Sequence, residues 1–286
     1  ERWGPRTVDL DLLLYDGLVL DTDDLTIPHP RMVTRRFVLE PCVEIAPDWV
    51  HPRAGCTLQD LLADISTTRP HVAVIGVPGA GAPEVAVAIA DATMARLVTA
   101  PPDYAPAVAG GACRGGAAGS CLEALAACAR PLAAARWPTD PHGTVADYWL
   151  GTIRLAAQEG LAPEARALFE SSFRALAAAT VPPHVAIRVV APPAVLEERL
   201  ASRAARAASG NDTFADLGAW PGADGAASRS AAVVCDFDPV ATLLALQDRI
   251  RVALEEGQGP RAVVTIETGD LEQAVREAVA AVEAMA

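Results

Sequence analysis

Positive charge is scarce in this chain: 23 basic residues stand against 36 acidic ones, for a net charge of −13. A nucleic-acid surface needs clustered Lys and Arg, so that class of partner is excluded. No uninterrupted apolar stretch is long enough to span a bilayer, and no membrane is expected. The six cysteines, Cys42, Cys56, Cys113, Cys121, Cys128 and Cys235, contain no C-x-x-C pair. Neither a zinc site nor a disulfide framework is therefore indicated. Cys121 and Cys128 lie seven apart in a helical stretch and read as one buried face. Aromatics make up only 5% of a chain that is 51% hydrophobic. There is no internal repeat, no initiator Met and no targeting segment ahead of the first motif. A cytoplasmic protein is expected, and 286 residues suggest two domains.

What is present begins at once. In the run Arg2 to Tyr15, Asp9 and Asp11 sit two apart in an otherwise apolar, β-prone segment. In a strand, alternate residues share a face, so both acids point the same way. Two adjacent carboxylates repel each other, and burying one alone is costly. A hard divalent cation removes both objections, since Mg²⁺ takes one or two carboxylates together with substrate phosphates and water. Arg2 and Arg6 add phosphate-binding groups nearby. The alternative for a bare D-x-D is a solvated strand end.

A second cluster tips the balance. Ile27-Pro28-His29-Pro30-Arg31-Met32 follows a turn-rich stretch, and Arg35-Arg36-Phe37-Val38-Leu39 follows that. With the signature R-W-G-P-R-T-x-D-L-D, these segments resemble the C-terminal half of the 6-hydroxymethyl-7,8-dihydropterin pyrophosphokinase family, from Glu1 to roughly Leu62. The resemblance implies a partial ferredoxin-like α+β domain over residues 1–68, truncated at its N-terminus. It implies ATP and a pterin as ligands and Mg²⁺ as cofactor. Asp9 and Asp11 would hold the metal, and Trp3 and Arg6 would act from a mobile catalytic loop. His29 and Arg35 would contact ATP phosphates, and Phe37 would form one face of the pterin slot. Arg36 reads as a solvated surface position. The family's first half-domain is expected upstream, so activity is expected of the full-length protein rather than of these residues alone.

A polar linker at Ser66–Pro70 separates this part from residues 69–286, where strands and helices alternate. Strands are expected at His71–Gly76, His184–Val190 and Ala262–Ile266. Helices are expected at Pro83–Met94, Leu122–Ala135, Ala146–Glu159, Pro163–Ala179, Pro193–Ala208, Val240–Glu256 and Leu271–Met285, with a Gly/Ala/Ser/Asp-rich loop after Ser209. Such alternation argues for an α/β domain with a parallel sheet wrapped by helices. After its first strand, Gly76, Gly79 and Gly81 have the glycine frame of a P-loop. Ala82 stands where the phosphate-binding Lys belongs, and Pro83 where the Mg²⁺-binding hydroxyl belongs. A tight strand-to-helix turn is the competing reading. The segments Val145–Leu150, Glu164–Phe169 and Leu196–Arg203 resemble deoxynucleoside kinases. That resemblance implies lid arginines at Arg199, Arg203 and Arg206, against which stands a plain solvated face. The acidic base expected of such a kinase is not evident around Ala100–Asp103.

Two function classes follow. The first is an enzyme transferring the β,γ-diphosphate of ATP to the pterin hydroxymethyl oxygen. The second is a nucleotide-binding or scaffolding pseudo-kinase module, whose α/β part is also the candidate surface for homo-oligomerisation.

Overall fold

A computed structural model describes residues 10–22, 24–67, 70–109, 118–137, 142–208 and 239–285. The first part of the chain is built from short elements. Leu20–Asp21 (β1) pairs antiparallel with Thr26–Ile27 (β2), and Val50–His51 (β3) with Cys56–Thr57 (β4). Between these hairpins lie a 3-10 turn at Met32–Thr34 and a helix at Arg36–Ile45 (α1). A second helix, Leu58–Ile65 (α2), follows β4 directly. A capping box fixes its start: Asp60 N–H donates to Thr57 Oγ1 at 3.1 Å, and Thr57 N–H donates to the Asp60 carboxylate at 3.1 Å. Two donors that a helix start leaves open are thereby satisfied. Leu58, Leu61 and Ile65 then recur on one side and are buried.

The strand expected around Asp9 and Asp11 is not formed over the part that is described. Residues 10–14 run without a strand partner, and His29 N–H donates to the Leu13 carbonyl at 2.9 Å. Alternation of residue types marks a segment that could pair. It says nothing about whether a neighbour is there to satisfy the ladder.

Beyond Pro70, strands and helices alternate. His71–Ile75 (β5), Arg96–Val98 (β6), Thr144–Ala146 (β7), Val185–Val190 (β8) and Ala262–Glu267 (β9) form one parallel sheet in the order β6-β7-β5-β8-β9. The helices are Ala82–Thr93 (α3), Tyr104–Val108 (α4), Ala118–Ala129 (α5), Leu150–Gly160 (α6), Pro163–Ala178 (α7), Pro193–Ala208 (α8), Pro239–Glu255 (α9) and Leu271–Glu283 (α10). Every residue of β5 is buried, as a strand covered on both faces requires. Several elements depart from the sequence reading: Tyr104–Val108 is a helix where none was expected, and the helix expected over Leu122–Ala135 ends at Ala129, followed by 3-10 turns at Arg130–Leu132 and Ala134–Arg136. Thr144–Ala146 is a strand where a helix from Ala146 was expected, and the helix starts only at Leu150. Arg96–Val98 also joins the sheet, with no strand assigned there from sequence. Both are three residues long, too short to show a period, and both are β because pairing across Arg96, Thr144 and His71 completes the sheet. Among the described residues no helix is long and apolar enough to cross a membrane.

The two parts share one continuous core, in which Met32, Leu39, Leu61 and Ile65 join Val74, Ile89 and Ala278. The 3-10 turn and α2 pack on β9. Arg261, just before β9, grips Asp64 with a two-pronged fork at 2.7 and 2.9 Å. The Arg36 side chain stays at the surface, where its guanidinium donates to Glu40 at 2.9 Å, and its backbone N–H donates to the Ala284 carbonyl at 2.9 Å. Cys121 and Cys128 are both fully buried on α5. Cys42, Cys56 and Cys128 are free thiols, whereas Cys121 is disulfide-bonded, which the spacing did not announce.

Candidate functional site

Asp11, His29, Arg35 and Phe37 come together on the first part of the chain, while Trp3, Arg6 and Asp9 lie outside the described residues. The bond from His29 N–H to Leu13 lays the Asp11 segment beside the turn that follows β2. Arg35 is the residue that caps α1, so its side chain enters from the other flank. Asp11 Oδ2 lies 3.9 Å from an Arg35 guanidinium nitrogen and 4.0 Å from His29 Nε2. These are Coulomb distances rather than hydrogen bonds. The Asp11 side chain is half open to solvent. Arg31 N–H donates to His29 Nδ1 at 3.2 Å, which leaves the proton of the neutral ring on Nε2, the nitrogen facing Asp11. Burial lowers the His29 pKa, Arg35 and Arg31 lower it further, and Asp11 opposes them. At neutral pH His29 is therefore an uncharged donor. Phe37 is 66% exposed, and the Arg35 guanidinium sits 5.8 Å from its ring centre, within cation–π range.

A carboxylate with no hydrogen bond to the described residues keeps its lone pairs for a hard cation, and the Arg35 fork and the His29 N–H suit phosphate oxygens. These residues fit a metal–polyphosphate ligand. Among the described residues no three or more His, Cys, Asp or Glu side chains gather into a metal cage. Mg²⁺ does not need one, since it usually takes one or two carboxylates and completes its shell with phosphate and water.

The glycine turn lies elsewhere, at the carboxyl end of β5. It opens into the crevice between β5 and β7, whose onward connections leave toward opposite sides of the sheet. Open α/β sheets bind ligands at that switch point. A cavity of 310 Å³ lies there, lined by the turn and by Glu84, Asp147, Glu198 and Arg199. Gly79 and Gly81 have φ of +91° and +95°. A Cβ on Gly76 would stand 2.6 Å from Val189, and one on Gly79 2.9 Å from Leu196. Packing of the turn on β8 and α8 thus demands the glycines whether or not anything binds.

The chain contains no lysine anywhere. Only an arginine could replace the missing P-loop cation, and Arg199 lines the cavity. Its donors are already engaged: to the Gly79 carbonyl at 3.3 Å, the Thr268 hydroxyl at 3.4 Å and the Thr268 carbonyl at 2.6 Å. Arg199 is thus not part of a solvated face; it ties α8 to the turn and to the β9–α10 loop. The side chains of Arg203 and Arg206 lie outside the described ones.

Asp147 is the residue that sequence reasoning missed. It is 5% exposed and accepts the Ala100 N–H at 2.6 Å. Burial pushes its pKa up to about 6, against the pull of the Ala100 N–H and its own backbone. Its signal was a single acid after the apolar pair Val145-Ala146, legible only once that pair is a strand and Asp147 its carboxyl-end residue.

Comparison with known proteins bears on the first part of the chain. Residues 1–47 match the model of the 7,8-dihydro-6-hydroxymethylpterin-pyrophosphokinase family. A 2-amino-4-hydroxy-6-hydroxymethyldihydropteridine pyrophosphokinase of Synechocystis is 54% identical over 68 residues, which cover 24% of this chain and 35% of that protein. The enzyme of the same name from Bacillus subtilis is 57% identical over 44 residues, covering 15% of this chain and 26% of its own length. A folic acid synthesis protein of Dictyostelium discoideum is 55% identical over 56 residues, 20% of this chain and 8% of that protein. The chain thus spans about a third or less of the length of these relatives. Its N-terminal 47 residues are similar to the pterin pyrophosphokinases, and the five-stranded α/β part carries no assignment from these matches.

Proposed function

We propose that residues 1–68 are the metal- and phosphate-binding portion of a ferredoxin-like pterin pyrophosphokinase domain, and that residues 69–286 form an α/β module packed against it. The reaction is transfer of diphosphate from ATP to 6-hydroxymethyl-7,8-dihydropterin. The pterin hydroxymethyl oxygen bonds to the β-phosphorus, the bond from that phosphorus to the oxygen leaving with AMP breaks, and the hydroxyl proton is lost. The observation that carries this reading is the meeting of Asp11, Arg35 and His29 within 3.9 to 4.0 Å, inside the segment that matches the family. Asp9 and Asp11 would hold Mg²⁺, which when bound offsets the polyphosphate charge. Arg35 binds and orients phosphate oxygens, and His29 donates to them from Nε2 without adding charge. Phe37 offers its exposed face to the flat pterin, and Arg6 and Trp3 would be the catalytic residues that act on the polyphosphate. Leu10, Phe37, Ile45, Trp49 and Val50 are each more than half exposed. Titration with α,β-methylene-ATP and Mg²⁺, using protein expressed from the intact reading frame, tests the phosphate roles. Arg35→Ala should weaken binding about tenfold or more, the worth of a charge-assisted contact. Unchanged affinity would remove Arg35 from the site.

A second reading concerns the α/β part, which we infer to be a nucleotide-kinase-like module that transfers no phosphoryl group. What supports it is a glycine turn at the switch point of the sheet that has Ala82 and Pro83 in place of a cation and a hydroxyl. Three carboxylates face one engaged arginine there, a poor field for unneutralised phosphate. Radiolabelled phosphate transfer from ATP to the common deoxynucleosides should stay at background. Turnover abolished by Gly81→Val would contradict this reading.

A further inference from the structure

The crevice at the carboxyl ends of β5 and β7 holds more negative charge than its own cations balance. Asp147 lies on its floor, 5% exposed, and Glu84 and Glu198 stand open to solvent on its rim. Only one Asp147 oxygen is occupied: Oδ1 accepts the Ala100 N–H at 2.6 Å. Oδ2 accepts no hydrogen bond from another described residue. It is not among the sealed polar atoms of the core, so it opens onto the cavity that Asp147 lines. A nearly buried carboxylate oxygen is costly unless a donor or a positive charge meets it. Glu84 adds to that cost, because its charge acts against the charge on Asp147.

Among the described residues no cation answers this field. Arg199, the arginine on the wall, is turned to the Gly79 and Thr268 carbonyls. The positive end of α3 meets Glu84 in its own first turn, and Pro83 removes a backbone donor there. An anion would thus face three carboxylates and no free side-chain cation. A bare metal ion is served no better, since among the described residues no three His, Cys, Asp or Glu side chains gather into a cage. The other walls, Val77, Pro101, Pro102 and Leu271, are apolar. Apolar walls with a few placed polar groups are the usual form of a small-molecule site.

We propose that this crevice binds a small organic cation, an apolar body ending in a primary ammonium. The ammonium sits on Asp147 Oδ2 in the field of Glu84, and the body lies against Pro101, Pro102 and Leu271. The proposal rests on the reading of this part as a module that transfers no phosphoryl group, and gives its crevice a ligand of opposite charge to a nucleotide. An ammonium brings three donors and no acceptor, which suits a free carboxylate oxygen beside a second carboxylate. Selectivity lies in the charge, because a neutral ligand of the same shape leaves Asp147 desolvated and unanswered.

2-Phenylethylamine and 2-phenylethanol test this directly, being nearly the same shape with and without the charge. Calorimetric titration of the intact chain should show the amine binding at least about tenfold more tightly than the alcohol, the worth of a charge-assisted hydrogen bond. Asp147→Asn keeps an oxygen for the Ala100 N–H and turns an NH₂ toward the cavity, so it should fold and bring the two affinities together. Ala105→Phe, which fills the cavity from α4, should abolish both. If Ala105→Phe does not fold, the ligand pair and Asp147→Asn still decide. No amine binding at millimolar concentration, equal affinities in the unaltered chain, or an amine preference that survives Asp147→Asn would each overturn the proposal. Radiolabelled phosphate transfer is read separately. Background transfer with no amine binding overturns this proposal alone, whereas transfer that Gly81→Val abolishes overturns the reading beneath it.

Discussion

Arg199 and the buried histidines show how far single residues depart from what their neighbours in sequence suggest. An arginine on an E-R-x-x-x-R helix reads as a phosphate ligand or as a solvated charge, yet Arg199 spends its donors on two segments of its own chain. Arg199→Met should therefore lower stability by about 1–3 kcal/mol, the range for hydrogen bonds to a charged group, measured by urea unfolding. An unchanged midpoint would return the residue to one of the two sequence readings. His51 and His71 are both held down to about pKa 4 by burial. Their unfolded forms bind protons near pH 6.5, so the unfolded state gains protons first as pH falls. Stability should be full above about pH 6.5 and fall between 6.5 and 4, by something on the order of 3 kcal/mol per histidine. Asp147, raised to about 6, acts in the opposite sense, costing stability as pH rises from about 4 to 6. Two histidines against one carboxylate leave a net loss on acidification. Urea midpoints across that range check it, and His51→Asn should remove most of the net slope, since one histidine then stands against one carboxylate. None of these shifts was legible from sequence, because each is set by burial rather than by residue type.

At the scale of elements, legibility followed length. The helix Pro193–Ala208 and the strand before it were readable because several turns of period, or a run of six apolar-rich residues, stand above local noise. The strands at 96–98 and 144–146 were not, since three residues carry no period and only the sheet decides for them. The glycine frame was visible, but its cause was not. Positive φ at Gly79 and Gly81 and the close approach of β8 to Gly76 are properties of the folded turn. Gly81→Ala should cost about 1 kcal/mol or more in unfolding free energy with no ligand present, since a Cβ there meets both a left-handed backbone and Leu271. A neutral result by thermal unfolding would mean the turn relaxes and the glycine was kept for something else. At the start of α2, Thr57→Ala removes the capping box and should cost about 1 kcal/mol in the same measurement.

The whole molecule is one packed body over its described residues, with a smaller part seated on the β9 side of a five-stranded sheet. The small part carries the recognisable signature and most of the exposed large apolar side chains. Of those among the described residues, only Val87, Met94 and Leu168 lie beyond Val50. The sheet part carries a crevice at its switch point, lined by the glycine turn, Ala82, Pro83 and three carboxylates. The long signature made the first site legible at its level of residue types, and the fold brings four of those residues together. The partners of Asp11 that would complete a metal shell depend on chain whose placement is not described, so spacing alone could only suggest them. The most direct measurement is product analysis with protein from the intact reading frame, given ATP, 6-hydroxymethyl-7,8-dihydropterin and Mg²⁺. The account predicts AMP and pterin diphosphate in equal amounts, with no ADP, and a fall of about a hundredfold or more in Asp11→Ala, the scale of losing a metal's electrostatic stabilisation. Near-normal turnover in Asp11→Ala, or no AMP from the unaltered protein, would contradict it.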